Sequence, residues 1–224
     1  PVMPDLLVEL TGRTKSQSTE LNGWLLFAYA GMQFIMSPIL GALSDRFGRR
    51  PVILTSLFAY SIDFLLMALA PTYAWLFIGR LLSGATAATY STANAFIADI
   101  TPPEKRSANF GLLGAAFGLG FIIGPALGGF VGDNFGVRAP FFLASAVIFA
   151  NFIFGYIVFP ETLPKEKRRA FDWRRANPVG GLITVGSRPL IAGVLLAYFL
   201  MQLAHHSLPG IWAFFAGVKF GWDQ

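Results

Sequence analysis

The sequence predicts an all-α integral membrane protein, because of its composition and the arrangement of its apolar residues. Of its 224 residues, 54% are hydrophobic and only 13% are charged, which is about half the charged share of a soluble domain. The mean hydropathy is +0.58. The apolar residues form long runs separated by short joints rich in charge, Pro and Gly. Such a chain cannot cover its apolar surface with polar side chains in water, so we do not expect a soluble single domain.

Six of the apolar runs are long enough to cross a bilayer as helices. A hydrocarbon core of about 30 Å needs about 20 mostly apolar residues in a helix. The runs are 22–43, 52–70, 74–99, 108–131, 139–159 and 189–215. Buried helices of a large soluble protein are the alternative. Six consecutive runs with joints this short favour a membrane bundle instead.

The basic residues predict the orientation of these spans. One set of alternate loops holds 12 of the 17 Lys and Arg residues, and the other set holds 4. The richer loops contain residues 46–50, 105–106 and 165–188, and the positive-inside rule places them in the cytoplasm. The net charge of +5 is therefore a sign of topology rather than of nucleic-acid binding. The absence of Cys excludes a disulfide scaffold and a thiolate metal site.

The longest cytoplasmic loop, residues 160–188, follows the fifth run and suits a junction between two helical bundles. It carries the basic residues 165–169 and the aromatic residues Phe171 and Trp173. This loop could lie on the anionic leaflet with its aromatic rings among the headgroups. A solvated linker is the alternative, and the sequence leaves both open.

A charged, glycine-punctuated turn, GALSDRFGRRP, joins the first two runs over Gly41–Pro51. Glycine permits tight turning and close backbone approach. Asp45 could pair with Arg49 or with a helix N-terminus, whose partial positive charge favours a carboxylate. An ordinary positive-inside hairpin would explain the charges but not this ordering. The candidate residues of the turn are Gly41, Asp45, Arg46, Gly48, Arg49 and Arg50.

Two charges, Asp63 and Arg80, lie inside apolar runs, where a charge is costly and points to function. The turn at residues 71–72 lies midway between them, so each is roughly 10–13 Å below it at 1.5 Å per residue. The two could face each other or share a water-filled cavity. Asp63 would then belong to a proton or substrate pathway that Arg80 tunes, or the pair would be a static salt bridge. Gln33 and Asn94 could line the same cavity.

The fourth run carries glycines at four-residue spacing, which make a smooth helix face. Small residues at this spacing let helices approach closely in lipid. Pro125 adds a kink to this predicted helix. The pattern fits generic helix packing or a gating interface between two halves. The residues concerned are Gly120, Gly124, Pro125, Gly128 and Gly129.

These motifs resemble those of the major facilitator superfamily. The turn Gly41–Pro51 is similar to the signature between that family's second and third helices, and Arg80–Ala88 to its fourth-helix motif. Gly120–Gly129 resembles the fifth-helix motif of proton-coupled antiporters. Within the superfamily, the chain resembles the tetracycline-efflux group, as in the run Ser61–Phe64, whereas Tyr90–Asn94 is bulkier and more polar than that group's pattern.

The resemblance implies that the runs are helices two to seven of a major facilitator fold, preceded by the end of helix one. Residues 1–159 would form an N-terminal bundle lacking most of its first helix. Residues 160–188 would be the basic interdomain loop, and residues 189–224 would begin the second bundle. Asp99 would join Asp45 and Arg49 in a cytoplasmic gating cluster.

The function implied by the resemblance is secondary transport rather than enzymatic catalysis. The protein would export a small amphipathic, tetracycline-like drug in exchange for protons, by alternating access. It would act as a monomer in the bacterial inner membrane, driven by a proton gradient and without a cofactor. A same-fold symporter or uniporter for a sugar or metabolite, or a non-transporting sensor or assembly protein, are the alternatives.

Several motifs of other functions are missing from the sequence. It has no phosphate-binding loop of an ATPase, no His-Glu-x-x-His and no Gly-x-Ser-x-Gly. His205 and His206 are adjacent, whereas a helical metal site uses the i, i+4 spacing. We therefore predict no metal site.

Overall fold

The fold is given by a computed structural model that describes residues 2–87, 89–173, 176–187 and 189–220. Arg174, Arg175, Arg188 and Ala88 lie outside these ranges. Within them the chain forms α-helices and two short 3₁₀ helices, Pro103–Lys105 and Lys165–Lys167, with no strand, which confirms the predicted all-α class. The helices are α1 (Met3–Thr11), α2 (Lys15–Phe47), α3 (Arg49–Ala68), α4 (Tyr73–Ala87), α5 (Tyr90–Ile100), α6 (Arg106–Phe135), α7 (Ala139–Val158), α8 (Pro178–Gly186) and α9 (Pro189–Phe220).

Four helical stretches in the described ranges are long and apolar enough to cross a membrane. They are α2, α3, residues Pro103–Phe135 (α6 with the turn before it) and α7. These correspond to the first, second, fourth and fifth predicted spans. The sixth predicted span lies along α9, in which Pro189–His205 forms a shorter apolar helix.

The third predicted span is divided into two helices, α4 and α5. Near the division, threonine hydroxyls donate hydrogen bonds to backbone carbonyls. Thr86 Oγ1 donates to the carbonyls of Leu82 and Ser83 at 3.0 and 3.1 Å, and Thr89 Oγ1 donates to the Thr86 carbonyl at 2.7 Å. Such local bonds compete with the helical ladder and bend or interrupt helices.

The helices pack as two pairs, α2 against α4 and α3 against α7, and α3 also contacts α4. A buried apolar cluster joins α1, α2, the α3–α4 turn and α7 at the end of the bundle opposite the basic turn. Its largest members are Leu6, Leu7, Leu25, Met67, Leu76 and Phe141. This cluster fixes the hairpin of α3 and α4 that carries both intramembrane charges.

Arg138, in the turn between α6 and α7, ties the same end of the bundle together. Its Nη1 donates to the carbonyls of Ala68 and Ala70 at 2.9 and 2.8 Å. Its Nε pairs with Glu9 of α1 at 3.0 Å. The guanidinium therefore satisfies carbonyls at the end of α3 that have no partner within the helix.

Candidate functional site

The intramembrane centre is built at the contact between α3 and α4. Gly79 lies against α3 so closely that a Cβ there would be 2.8 Å from Met67 Cγ and 3.4 Å from Asp63 Oδ1. The missing side chain lets the two helices approach at this level. Ser83, four residues further along α4, lies on the same helix face as Gly79. This face, and not the one that carries Arg80, meets α3 opposite Asp63.

The Asp63 side chain is buried, with 1% of its surface exposed. The hydroxyl of Ser83, equally buried, donates a hydrogen bond to Asp63 Oδ2. The other carboxyl oxygen, Oδ1, is buried without a hydrogen-bond partner among the described residues. A buried polar atom left without a partner costs about 1–3 kcal/mol, so this arrangement calls for an explanation beyond packing.

Arg80 is half-buried and lies within electrostatic range of Asp63, Tyr60 and Tyr29. The ion pairs found among the described residues do not include one between Asp63 and Arg80. The static salt bridge is therefore absent from the structure. Asp63 and Arg80 lie at similar depths along the α3–α4 hairpin, so the two charges are near each other. The Arg80 side chain, however, leaves α4 in a direction that does not bring it into direct contact with the carboxyl.

Three participants were missed by the sequence reasoning: Ser83, Tyr60 and Tyr29. Ser83 lies within the fourth-helix motif Arg80–Ala88, but nothing in the sequence gives the rotation of α4 that directs its hydroxyl towards Asp63. Tyr60 lies three residues before Asp63, a spacing that places both on one side of α3.

Gln33 and Asn94 are half-buried on α2 and α5. Among the described residues, neither of them forms a hydrogen bond with Asp63 or Arg80. A cavity of about 700 Å³ does open between α3, α5, α6 and α7, and it is mostly apolar. Its polar lining includes Tyr60 and Asn151, but not Gln33 or Asn94.

Arg49 lies at the centre of a cluster of polar and charged side chains near the α2–α3 turn. Its Nη1 lies 2.6 Å from both Asp45 Oδ1 and Ser44 Oγ, and its Nε lies 3.3 Å from Asp99 Oδ2. Asp45 and Arg49 flank the α2–α3 turn, and Asp99 lies near the end of α5. One guanidinium therefore joins three helices, through the fork of donors that arginine provides.

The remaining predicted residues of the turn have other surroundings. Gly41 faces α5, since a Cβ there would be 3.9 Å from Ser91 Oγ. Arg50 Nη2 donates to the Tyr156 carbonyl at 2.7 Å, and its guanidinium lies 5.5 Å from the centre of that ring. Arg46 is exposed and lies over the Phe47 ring, outside the Arg49 cluster.

Part of the basic loop docks on this turn. The Arg49 N–H donates to Glu161 Oε1 at 2.9 Å, and the Arg169 N–H donates to the Asp45 carbonyl at 3.0 Å. Thr162 Oγ1 lies 3.3 Å from Asp99 Oδ2. These contacts fit neither of the two expectations for the loop, a segment on the membrane surface or a solvated linker. Further along the loop, Trp173 is exposed.

Gly120, Gly124 and Gly129 of α6 pack tightly against no other helix in the part of the chain that the structure describes. A Cβ at Gly120, Gly124 or Gly129 would meet nothing within 4 Å. Gly124 and Gly128 line a second cavity, of about 310 Å³, between α1, α3, α6 and α7. Pro125 lies inside α6, which continues through it. The predicted gating interface is therefore not brought together with the Asp63 or Arg49 groups.

Comparison with known proteins identifies the family. The sequence profile of the Major Facilitator Superfamily matches residues 1–224. Tetracycline resistance protein, class C, of Escherichia coli is 39% identical over 223 residues, which are 100% of this chain and 55% of that protein. Multidrug resistance protein 2 of Bacillus subtilis is 32% identical over 226 residues, covering 99% of this chain and 54% of that protein.

A solved structure agrees with these relatives. The crystal structure of the human organic anion transporter MFSD10 (TETRAN) superposes with a TM-score of 0.72 at 28% identity. The superposition covers 90% of this chain and 51% of MFSD10. The chain therefore spans about half the length of the proteins it matches. From the profile match and the membrane-length helices, we conclude that this is a multi-pass membrane protein that belongs to the major facilitator superfamily.

Proposed function

We propose that this chain is about half of a secondary transporter that exports a small amphipathic, tetracycline-like drug in exchange for protons. The observation that carries the proposal is the buried Asp63 carboxyl, which has one oxygen bonded to Ser83 and the other without a hydrogen-bond partner in the described part of the chain. Relatives named as tetracycline resistance proteins, at 36–40% identity, support the substrate class. Transport, not enzymatic catalysis, is the activity that this family membership supports.

Asp63 can exchange a proton where it lies. The Ser83 hydroxyl can donate to Oδ2 of a negative carboxylate, while Oδ1, which has no hydrogen-bond partner among the described residues, offers a position for a proton. A carboxyl in a membrane interior that alternates between these two forms couples proton movement to which face of the transporter is open. Gln33 and Asn94 would line the substrate pathway rather than touch the carboxyl.

The Arg49 cluster supplies the cytoplasmic half of the cycle. Its contacts with Asp45 and Asp99 hold α2, α3 and α5 together at one end of the bundle. Opening of this face would break these pairs, which therefore stabilise its closed state. The α6 residues Gly120, Gly124, Pro125, Gly128 and Gly129 would form the gating interface with the part of the transporter that this chain does not span.

The remaining assignments follow from this function. Residues 1–159 would form one bundle, residues 160–188 the cytoplasmic interdomain loop, and residues 189–224 the start of the second bundle. The transporter would work as a monomer in a bacterial inner membrane, with protons and the drug as its partners.

Flux measurements in proteoliposomes test the proposal on the full-length protein. An imposed pH gradient should drive uptake or release of tetracycline or of another cationic drug. Asp63→Asn should abolish this flux while the protein still inserts. Asp133→Asn, at an exposed position on α6, is the matched control and should transport normally. A wild-type protein without pH-dependent flux of any of these drugs contradicts the exporter function, and flux that survives Asp63→Asn contradicts the role of Asp63.

A further inference from the structure

The N-terminus of α3 is capped by a residue from a distant part of the chain. Gly48 occupies the N-cap position and has no side chain to accept a hydrogen bond from the first helical N–H groups. The Arg49 N–H donates instead to Glu161 Oε1 at 2.9 Å, across a sequence separation of 112 residues. Helix N-termini need such acceptors, and their partial positive charge favours a carboxylate.

Gly48 leaves the space that this carboxylate occupies. Its φ is 108°, a value that other residues rarely adopt. A Cβ at this position would also lie 2.1 Å from Glu161 Oε2 and 2.7 Å from Glu161 Cδ. The glycine therefore serves two purposes, since it makes the turn and leaves the space that Glu161 fills.

Glu161 also organises the loop that follows it. Its Oε1 accepts a second hydrogen bond, from the Leu163 N–H at 2.9 Å, and its Oε2 pairs with Arg168 Nη2 at 3.7 Å. Arg168 Nε in turn donates to the Leu163 carbonyl at 3.3 Å. These bonds close residues 161–169 into a compact segment, which we call the clasp.

We infer that Glu161 is a positioning residue that locks the clasp onto the α2–α3 turn. The clasp reaches the Arg49 cluster at three points: Glu161 on the Arg49 backbone, Thr162 on Asp99, and Arg169 on the Asp45 carbonyl. Displacement of the clasp therefore disrupts these contacts with the Arg49 cluster, so the clasp and the cluster open together. The lock itself is independent of the proposed transport function, and only its effect on the transport cycle rests on that function.

Limited trypsin digestion of the full chain in native membranes, opened to expose both faces, tests the lock. The clasp contains four cleavage sites, Lys165, Lys167, Arg168 and Arg169. Glu161→Ala should raise the initial cleavage rate at least about fivefold, the change that loss of an ordinary N-cap makes in an opening equilibrium. Glu161→Gln keeps an acceptor for the Arg49 N–H and should give a smaller increase. Glu104→Ala, at an exposed site outside the clasp, is the control for loss of a negative charge and should leave the rate of cleavage in the clasp unchanged.

Two results overturn the inference: cleavage of Glu161→Ala at the wild-type rate, or an equal increase with Glu104→Ala. Gly48→Ala provides a second route, since it displaces the carboxylate without changing it, and should also raise cleavage. If Gly48→Ala alone raises cleavage, the glycine acts only through its backbone and Glu161 is not the lock. The digestion needs neither a drug nor a pH gradient, so a failure of the lock and a failure of drug export are told apart.

Discussion

Ser83 on α4 donates its hydroxyl hydrogen to Asp63 on α3, and both side chains are buried. This bond joins the two helices that carry the intramembrane charges, at a level where Gly79 lets them meet. It makes Ser83, rather than Arg80, the direct partner of the carboxyl. The protonation of Asp63 and the packing of the hairpin are therefore linked through one hydroxyl group.

Removal of that hydroxyl should impair proton-coupled flux. Ser83→Ala leaves the buried carboxyl without a donor, and an unsatisfied buried group costs about 1–3 kcal/mol. We expect flux driven by a pH gradient to fall by about tenfold, with normal insertion. Ser61→Ala is the matched control, because the Ser61 hydroxyl bonds only within α3, to the Phe58 carbonyl at 2.8 Å. Equal flux in the two variants would contradict the role of Ser83.

Three glycine-to-alanine substitutions should destabilise the protein in a fixed order. At Gly84 a Cβ would lie 2.3 Å from the Tyr29 carbonyl oxygen, a backbone atom that cannot easily move. At Gly79 the nearest atom is Met67 Cγ, at 2.8 Å, which belongs to a flexible side chain. At Gly118 nothing lies within 4 Å.

Overpacking of this kind costs about 1–3 kcal/mol. Thermal unfolding in detergent should therefore show the largest loss for Gly84→Ala, a smaller one for Gly79→Ala and almost none for Gly118→Ala. In a Met67→Ala background, Gly79→Ala should cost less than it does in the wild type, because the clashing atoms are already absent. A loss at Gly118 as large as that at Gly84 would show that helix packing at the α2–α4 contact is not the cause.

The shape of arginine is predicted to matter at position 49. Arg49→Lys keeps the charge but cannot hold Asp45 and Asp99 with separate nitrogens. Each partly exposed pair is worth about 0.2–1 kcal/mol, so loss of one should shift the opening of the cytoplasmic face by up to about fivefold. Cysteine labelling at that face measures the shift, since the chain has no native Cys. Arg46→Lys, at the exposed neighbour, should label like wild type, and a shift there as large as at Arg49 would contradict the prediction.

The sequence could reveal the residues that are unusual in their local setting. Asp63 and Arg80 stand out because a charge in an apolar run is rare, and Asp45 and Arg49 stand out as opposite charges close together in one glycine-punctuated turn. The direct contact of Asp63 could not be predicted in this way. It depends on the rotation of α4, which is set by how Gly79 packs against Met67, a contact between two helices.

The same distinction applies to the end of the bundle that carries the α2–α3 turn. The glycine-punctuated turn predicts a tight connection between α2 and α3, and the structure has one. The cap on α3 comes from Glu161, however, and no local pattern connects residues 112 positions apart. The division of the third predicted span likewise depends on which carbonyls the Thr86 and Thr89 hydroxyls reach, whereas the hydropathy of that span is continuous.

Arg138 should be required for stability at the opposite end of the bundle. Arg138→Ala removes hydrogen bonds to the Ala68 and Ala70 carbonyls and the ion pair with Glu9. Hydrogen bonds from a charged donor are worth about 1.5–3 kcal/mol, so we expect a loss of about that size in detergent unfolding. Glu9→Gln should cost less, because it leaves both carbonyl bonds intact and weakens only a partly exposed pair. Arg13→Ala, at an exposed position, controls for loss of a positive charge. If Glu9→Gln were as harmful as Arg138→Ala, the ion pair rather than the carbonyl bonds would hold this end together.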